Sequence, residues 1–514
     1  MKTITTVTAL VLFLSFNLFA QPIINWETCY GGSSFDVASE FHLTPDGGYI
    51  IIGQTESDNG DVSGNHGSLD YWLIKLDINR NIEWQKCLGG SQTDRGNTCQ
   101  VTTDESYIVS GLCDSNDGDV SGNHGQSDYW IVKVDAQENT IWKKCYGGSQ
   151  NEVAYNMKQT TDGGYVIAGL AYSNEGDVSG NHGQCDYWVI KIDDMGTIEW
   201  QNALGGYQQD VPSCVQQTTD GGFIVVGSTL SDDGDVTGYH GVFDIWGVKL
   251  DGNGILEWQR CYGGSAKDGA KSVLQTTDGG YIIAGNTEST DGDVTGNHGS
   301  TDCWIVKIDN LGNIQWQKCL GGSGVDLANS IIQTTKGNYI MAGSTKSDDG
   351  DVSGNHGDND CWIVELDTLG NLQWQLCAGG SSSDYASSIL QTPAGNLVFV
   401  GGTYSNDGDV SSNHGSVDYW LVELDYFTGI MPHNTDFTLF PNPVDNSGLT
   451  ISTNHHGPLM VKLLDLRGTI VLETLLLENN KHIDMDYISD GIYIIQISDR
   501  SKIIHQQKMI KSSN

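Results

Sequence analysis

Fourteen tryptophans fall into two sets of seven, and within each set the spacing is 58 residues with no slippage. One set is Trp72, Trp130, Trp188, Trp246, Trp304, Trp362 and Trp420; the other is Trp26, Trp84, Trp142, Trp200, Trp258, Trp316 and Trp374. A period this regular means that one supersecondary unit is copied, each copy burying its apolar face against its neighbours. Within one period, Asn313–Leu320, Asn329–Thr335, Asn338–Ser344 and Cys361–Asp367 are rich in Ile, Val, Trp and Tyr and are bounded by Gly, Asn or Asp, which predicts four strands. No window holds a helical period.

Four antiparallel strands in seven copies predict an all-β chain folded as a seven-bladed β-propeller. The first copy begins with only the outermost strand, around Trp26, and the last ends after its third, Tyr419–Asp425. Joined, the two fragments complete one blade, so the N-terminal strand closes the last blade and no sheet edge is left open. The strands are called a to d from the axis outward. The a–b turn (Thr277 to Gly280) and the c–d turn (Asp309 to Asn313) are short and carry Asx and Gly turn chemistry. The longer b–c and d–a connections must then share the opposite face. That face is expected to be studded with carboxylates, because each d–a segment carries an acid: Asp36, Asp94, Glu152, Asp210, Asp268, Asp326 and Asp384.

Residues 21–425 hold 17 basic and 56 acidic residues, a net charge of −39. Phosphate backbones and anionic membrane surfaces are repelled by such a field, which argues against a nucleic-acid partner. Divalent cations, neutral sugars and basic partners are compatible with it. Residues 1–20 have the pattern of a secretory signal peptide, with Lys2 ahead of an apolar Val7 to Phe19 and Ala20 at the cleavage point. No later apolar run is long enough for a transmembrane span. Twelve cysteines in an exported chain raise the question of disulfides. Cys29, Cys87, Cys145, Cys261, Cys319 and Cys377 each follow a repeated tryptophan by three residues with no second repeated cysteine, so they are expected as buried, unpaired thiols. A bridge among Cys99, Cys113, Cys185 and Cys214 stays open.

The b–c loop reads Ser115-Asn-Asp-Gly-Asp-Val-Ser-Gly-Asn-His-Gly-Gln-Ser-Asp128 in its second copy. Its hard oxygen donors suggest a Ca²⁺ site in every loop. The candidate ligands are Asp61 and Asp70, Asp119 and Asp128, Asp177 and Asp186, Asp235 and Asp244, Asp293 and Asp302, Asp351 and Asp360, and Asp409 and Asp418. The competing reading is bracing: Ser and Asp cap backbone amides, the glycines take positive φ, and the histidine ties two segments of the loop together. Because a catalytic or binding site breaks the symmetry of a repeat, the fourth copy draws attention. There Tyr207, Tyr239 and Phe243 are added beside Asp210 and Asp244, a set that suits a glycan or protein ligand. No nucleophile elbow, phosphate loop or zinc signature is present, and no catalytic residue is singled out. The function expected is non-catalytic binding or adhesion; the alternative is an extracellular propeller enzyme acting on polysaccharide.

Past residue 425 the repeat stops, and after a linker at 426–436 the strand-like runs Leu459–Asp465, Thr469–Leu475 and Gly491–Ser498 predict a small β-sandwich over 437–514. Pro441-Asn-Pro443, Leu464-Asp-Leu-Arg-Gly468, Ser489-Asp-Gly-Ile-Tyr-Ile494 and Lys508-Met-Ile-Lys511 resemble the C-terminal sorting domain (type A) of type IX secretion system cargo. The resemblance implies a Bacteroidetes-type cell, recognition by the type IX machinery, outer-membrane translocation, and a mature protein that is secreted or held at the cell surface. The propeller repeats resemble those of surface proteins from the same bacterial group. The Asp-x-x-Gly-x-Ile-x-Trp pattern (Asp309 to Trp316) is similar to the tryptophan-docking motif of quinone-dependent dehydrogenase propellers, which implies inter-blade packing.

Overall fold

The computed structural model describes residues 21–426, 437–440, 448–453, 459–464, 470–476, 482–485, 487–499 and 502–511. The expected signal peptide, most of the linker, and the Pro441 to Pro443 and Asp465 to Gly468 motifs lie outside the described residues. Every regular element among the described residues is a strand. Pro22–Tyr426 form one unit and the described part of 427–514 another.

The first unit consists of seven four-stranded antiparallel sheets. In the fifth, the strands are Asp268–Gln275 (a), Tyr281–Thr287 (b), Asp302–Ile308 (c) and Ile314–Leu320 (d), paired in that order. The closing blade takes Asp384–Gln391, Leu397–Thr403 and Asp418–Asp425 from the end of the repeat and Ile23–Tyr30 from its beginning. Trp26 pairs with Glu423 and Cys29 with Trp420 in that clasp. Trp26 also packs on Tyr49, at 6.4 Å between centroids, and beneath the Arg80 guanidinium at 4.4 Å, so the clasp binds the first blade as well as the last.

The c strand explains both tryptophan sets. It is sandwiched between b and d within its sheet and between two blades across it; from Asp128 to Val134, for example, every residue is buried. The c-strand tryptophans are fully buried, and Trp72, Trp188, Trp246, Trp304 and Trp362 each donate the indole N–H to a glutamine of strand d at 2.8–2.9 Å. Across four junctions a c-strand tyrosine packs at a tilt against the next blade's tryptophan, with centroids 4.5–4.9 Å apart, and donates its hydroxyl to that residue's carbonyl: Tyr71, Tyr129, Tyr187 and Tyr419. Such a ring pair adds ~1 kcal/mol to the burial of the rings themselves. Ile245, Cys303 and Cys361 occupy the tyrosine's position in the other three copies, which accounts for two cysteines outside the d-strand set. The d-strand tryptophans reach the next blade's c–d turn, as when Trp142 Nε1 donates to Asp194 O at 3.1 Å.

All twelve cysteines are free thiols, eleven of them buried, and Cys145 is half-buried with its sulfur 3.6 Å from that of Cys113. The second unit contains two sheets, one of Phe437–Phe440, Leu449–Thr453 and His482–Ile483, the other of Ile470–Leu476, Leu459–Leu464, Gly491–Asp499 and Lys502–Lys511. Leu449, Ile451, Val461, Leu463, Ile495, Ile497 and Met509 form its core. No helix among the described residues is long and apolar enough to cross a membrane.

Deleting residues 22–30 removes a whole outer strand and its buried Cys29 and Tyr30. At ~2 kcal/mol per buried side chain and ~2 °C per kcal/mol, the melting temperature of the mature chain should fall by on the order of 5–10 °C in one cooperative transition. A melt like that of the parent chain would contradict ring closure.

Candidate functional site

The acids expected to stud the long-loop face are not at the surface. Asp36, Asp94, Glu152, Asp210, Asp268, Asp326 and Asp384 are all buried, and each binds the d–a segment that precedes it. Asp210 accepts the Gly206 amide at 2.8 Å, the Ser231 hydroxyl at 2.9 Å and the Thr229 hydroxyl. The second acid of each b–c loop is equally buried. Asp70, Asp128, Asp186, Asp244, Asp302, Asp360 and Asp418 each accept both the backbone N–H and the ring Nδ1 of the histidine four residues earlier, the latter at 2.5–2.8 Å. Their other oxygen, Oδ1, is buried without a hydrogen-bond partner in all seven copies.

The two carboxylates of each junction face one another across a glycine. A Cβ on Gly89 would stand 2.5 Å from Asp70 Oδ1 and 2.9 Å from Asp94 Oδ2, and Gly31, Gly147, Gly205, Gly263, Gly321 and Gly379 are confined in the same way. The first glycine after each d strand is therefore a steric requirement of the acid pair, and the second is confined by the next b–c loop, as Gly90 is by Asp117 and Ser115.

The first loop acid is half-buried and also serves the junction: the amides of Gly31, Gly147, Gly205, Gly263 and Gly379 donate to Asp61, Asp177, Asp235, Asp293 and Asp409 at 3.2–3.3 Å. Asp235 approaches His182 Nε2 of the preceding blade at 4.0 Å. These oxygens face N–H donors, and among the described residues no three His, Cys, Asp or Glu side chains converge as metal ligands. The hydrogen bonds of the loop are those of the bracing reading, with Gly118 at φ +61° and Gly122 at φ +90° supplying the left-handed turns.

Of the fourth-copy set, Asp210 and Asp244 lie in this buried scaffold, out of reach of a ligand. Tyr239 folds back, its hydroxyl donating to Val242 O at 2.7 Å in place of the bonds an asparagine makes in the other copies. Tyr207 is 68% exposed, the most open aromatic ring of the propeller. Phe243 lines a cavity. That cavity, about 450 Å³, is walled by residues of blades four to six, among them Ser213, Ser228, Phe243, Lys267, Gly269, Lys271, Asn286 and Glu288. Beneath it runs the central channel of about 330 Å³, lined by the a strands and crossed by the Lys158–Glu40 ion pair at 2.9 Å. Burial works against the charge on Glu40, yet Lys158, His42 and Thr98 outweigh it and hold the carboxyl well below its usual range.

Sequence inspection missed the fifth-blade residues because it compared aromatic additions. The signal was a deletion: Gly269 stands where the other copies have Val37, Arg95, Val153, Val211, Leu327 and Tyr385. Lys271 is the extra residue of the bulge present in every a strand, a position that turns its side chain out of the ladder.

Residues 438–512 match the secretion system C-terminal sorting domain. The chain is therefore type IX secretion cargo, a β-propeller followed by a sorting tail that implies export. Over 212 residues it is 24% identical to the regulatory protein FlaEY of Caulobacter vibrioides, covering 39% of this chain and 22% of that protein. It spans about a fifth of the length of that relative. Solved structures similar to it include the WD40 propeller domain of Doa1 (10% identity, 80% of this chain and 98% of that one, TM-score 0.45). Puromycin hydrolase is another (11% identity, 80% and 57%, TM-score 0.45). A third is BamB from Moraxella catarrhalis (13% identity, 77% and 85%, TM-score 0.34).

Two predictions follow from the junction. A methyl group at Gly263 would lie 2.6 Å from Asp268 Oδ2, so Gly263→Ala should cost about 1–3 kcal/mol in denaturant unfolding, and a parent-like unfolding curve would contradict the confinement. The pH dependence has a definite sign. Burial raises the carboxyls of Asp70, Asp128, Asp186, Asp244, Asp302, Asp360 and Asp418, and pushes Asp210 up to about 6. A raised folded pKa gives stability that is complete below the unfolded value of 3.8 and is lost as pH rises through the folded value. On the opposite face, burial is outweighed by bonds from Lys75, Lys191, Lys249 and Lys307 and their neighbouring threonines, which hold Asp46, Asp162, Asp220 and Asp278 at about 2; that contribution is lost as pH falls below 3.8. The melting temperature should thus be higher near about pH 5 than near about pH 7.5 and should drop again below about pH 3.5. A monotonic decline from neutral pH would contradict this balance.

Proposed function

We propose that the propeller is an exported, non-catalytic binding or adhesion module that engages a glycan or protein ligand at the cavity on its long-loop face. The observation that carries this reading is the coincidence of an open cavity with the point where the repeat loses its symmetry. Elsewhere on that face the repeated acids and histidines are tied into the scaffold; here Gly269 removes a side chain, Phe243 offers an apolar surface and Ser213, Ser228 and Asn286 offer polar groups. A polar-rimmed concavity with one apolar wall is the usual form of a small-ligand site. The carboxylates in its wall are Asp268, occupied by Thr287, Ser289 and Gly264, and Glu288, which supports binding over acid–base cleavage with two free carboxyls.

A Cβ at Gly269 would come within 2.9 Å of Ser228 Oγ, itself part of the wall, and Gly269 does not have a positive φ, so Gly269→Val fills the cavity without backbone strain. Screened against a glycan array and surface-protein extracts, the mature chain should bind at least one ligand that the Gly269→Val variant binds about tenfold more weakly, with unchanged melting. Ligands bound equally by both forms would place recognition elsewhere, and release of new reducing ends would establish an enzyme.

A further inference from the structure

Two cations of this cavity have no counterion. Lys267 and Lys271 both line it, and among the described residues neither takes part in an ion pair or a side-chain hydrogen bond. That is unexpected where acids outnumber bases by 56 to 17. The c-strand lysines show the usual outcome: Lys75, Lys133, Lys191, Lys249 and Lys307 each sit 2.8–3.1 Å from an acid of the a–b turn. Lys158 in the channel has Glu40.

The position of the pair is specific to one blade. At the places of Lys267, Gly269 and Lys271 the sixth copy has Val325, Leu327 and Asn329, and the seventh has Ser383, Tyr385 and Ser387. Lys267 and Lys271 therefore stand on either side, along the chain, of this position in the one copy where it has no side chain, and Lys271 lines the channel as well. Burial alone lowers the Lys271 pKa, so its charge is held against a desolvation cost that an anion in the cavity would offset. Around the lysines stand groups suited to hydroxyls: Ser213, Ser228 and Asn286, with the exposed Glu288 as an acceptor, its amide fixed to Lys267 O at 2.8 Å.

Resting on the reading of this cavity as the binding site, we propose that its ligand is an acidic sugar, with the carboxylate seated over Gly269 between Lys267 and Lys271. Its ring hydroxyls meet the serines, Asn286 and Glu288, and Phe243 covers an apolar face of the ring. A carboxylate desolvated between two ammonium groups forms charge-assisted hydrogen bonds, the strong class. The cavity is large enough for one or two sugar rings at about 450 Å³, which makes this the recognition of a single acidic sugar on an otherwise neutral glycan, since the propeller's net charge of −39 repels a polyanion.

The test uses the mature full chain and three probes in calorimetry: a galactose trisaccharide ending in one galacturonate (the galacturonate probe), the neutral galactose trisaccharide, and inorganic phosphate. The galacturonate probe should bind, the neutral probe at least about tenfold more weakly, and Lys271→Gln and Lys267→Gln should each weaken galacturonate by about tenfold while Lys271→Arg retains most of the affinity. Both glutamine variants leave the packed scaffold untouched, and an unchanged melt verifies that. No galacturonate binding, equal binding of the neutral probe, phosphate binding as tight as the uronate, or Lys271→Gln affinity equal to the parent would each overturn the acidic-sugar assignment. A neutral glycan whose binding is abolished by Gly269→Val would overturn it while leaving the cavity as the binding site; the absence of any Gly269→Val-sensitive ligand would overturn both.

Discussion

The contact on which the ring depends is the junction where the glycines after one blade's d strand pass between two buried carboxylates. Gly206, for instance, gives its amide to Asp210, while Gly205 lies in the gap between Asp210 and Asp186 and gives its amide to Asp235 of the next long loop. Three acids from two adjacent blades thus converge on one two-residue segment, and the arrangement recurs around the disc. Burying carboxylates is costly, and hydrogen bonds from amides, hydroxyls and histidine offset that cost only in part. Seven Oδ1 atoms keep no partner. The acidity of the propeller is to that extent a property of its joints.

This explains why symmetry and function separate so cleanly on the long-loop face. A residue needed at every junction cannot be freed in one copy without opening the ring, so a ligand site has to be made from positions the junction does not use. Position 269 is such a place: its counterparts in the two neighbouring copies, Val211 and Leu327, line the same cavity. Removing that side chain and placing lysines to either side changes the local chemistry without touching Asp268, which continues to hold Gly264 at 2.8 Å.

The carboxy-terminal unit has a different logic. Its two sheets enclose their own core of Leu, Ile, Val and Met, and its family match ties it to export. The propeller carries its own closure through the Ile23–Tyr30 clasp, so the recognised tail and the ring are each stabilised by their own contacts.

Period, strand number, blade closure and the sorting tail were all legible in the sequence, because each rests on local information: turn residues, alternation, and the 58-residue spacing of tryptophans that must meet the same neighbour in every copy. Even the hairpin faces could be derived, since antiparallel connectivity leaves no other arrangement. Burial of the acids was not legible. Asp36 and Asp70 look like surface loop residues in the chain, and only the approach of the neighbouring blade withdraws them from water and sets their oxygens against a glycine. For the same reason Asp210 and Asp244 looked available to a ligand and are not. Lys267 and Lys271 looked like ordinary surface lysines, and it took the tertiary structure to show that they share a cavity with no acid paired to either, because what a charge does depends on which groups the fold brings within reach of it.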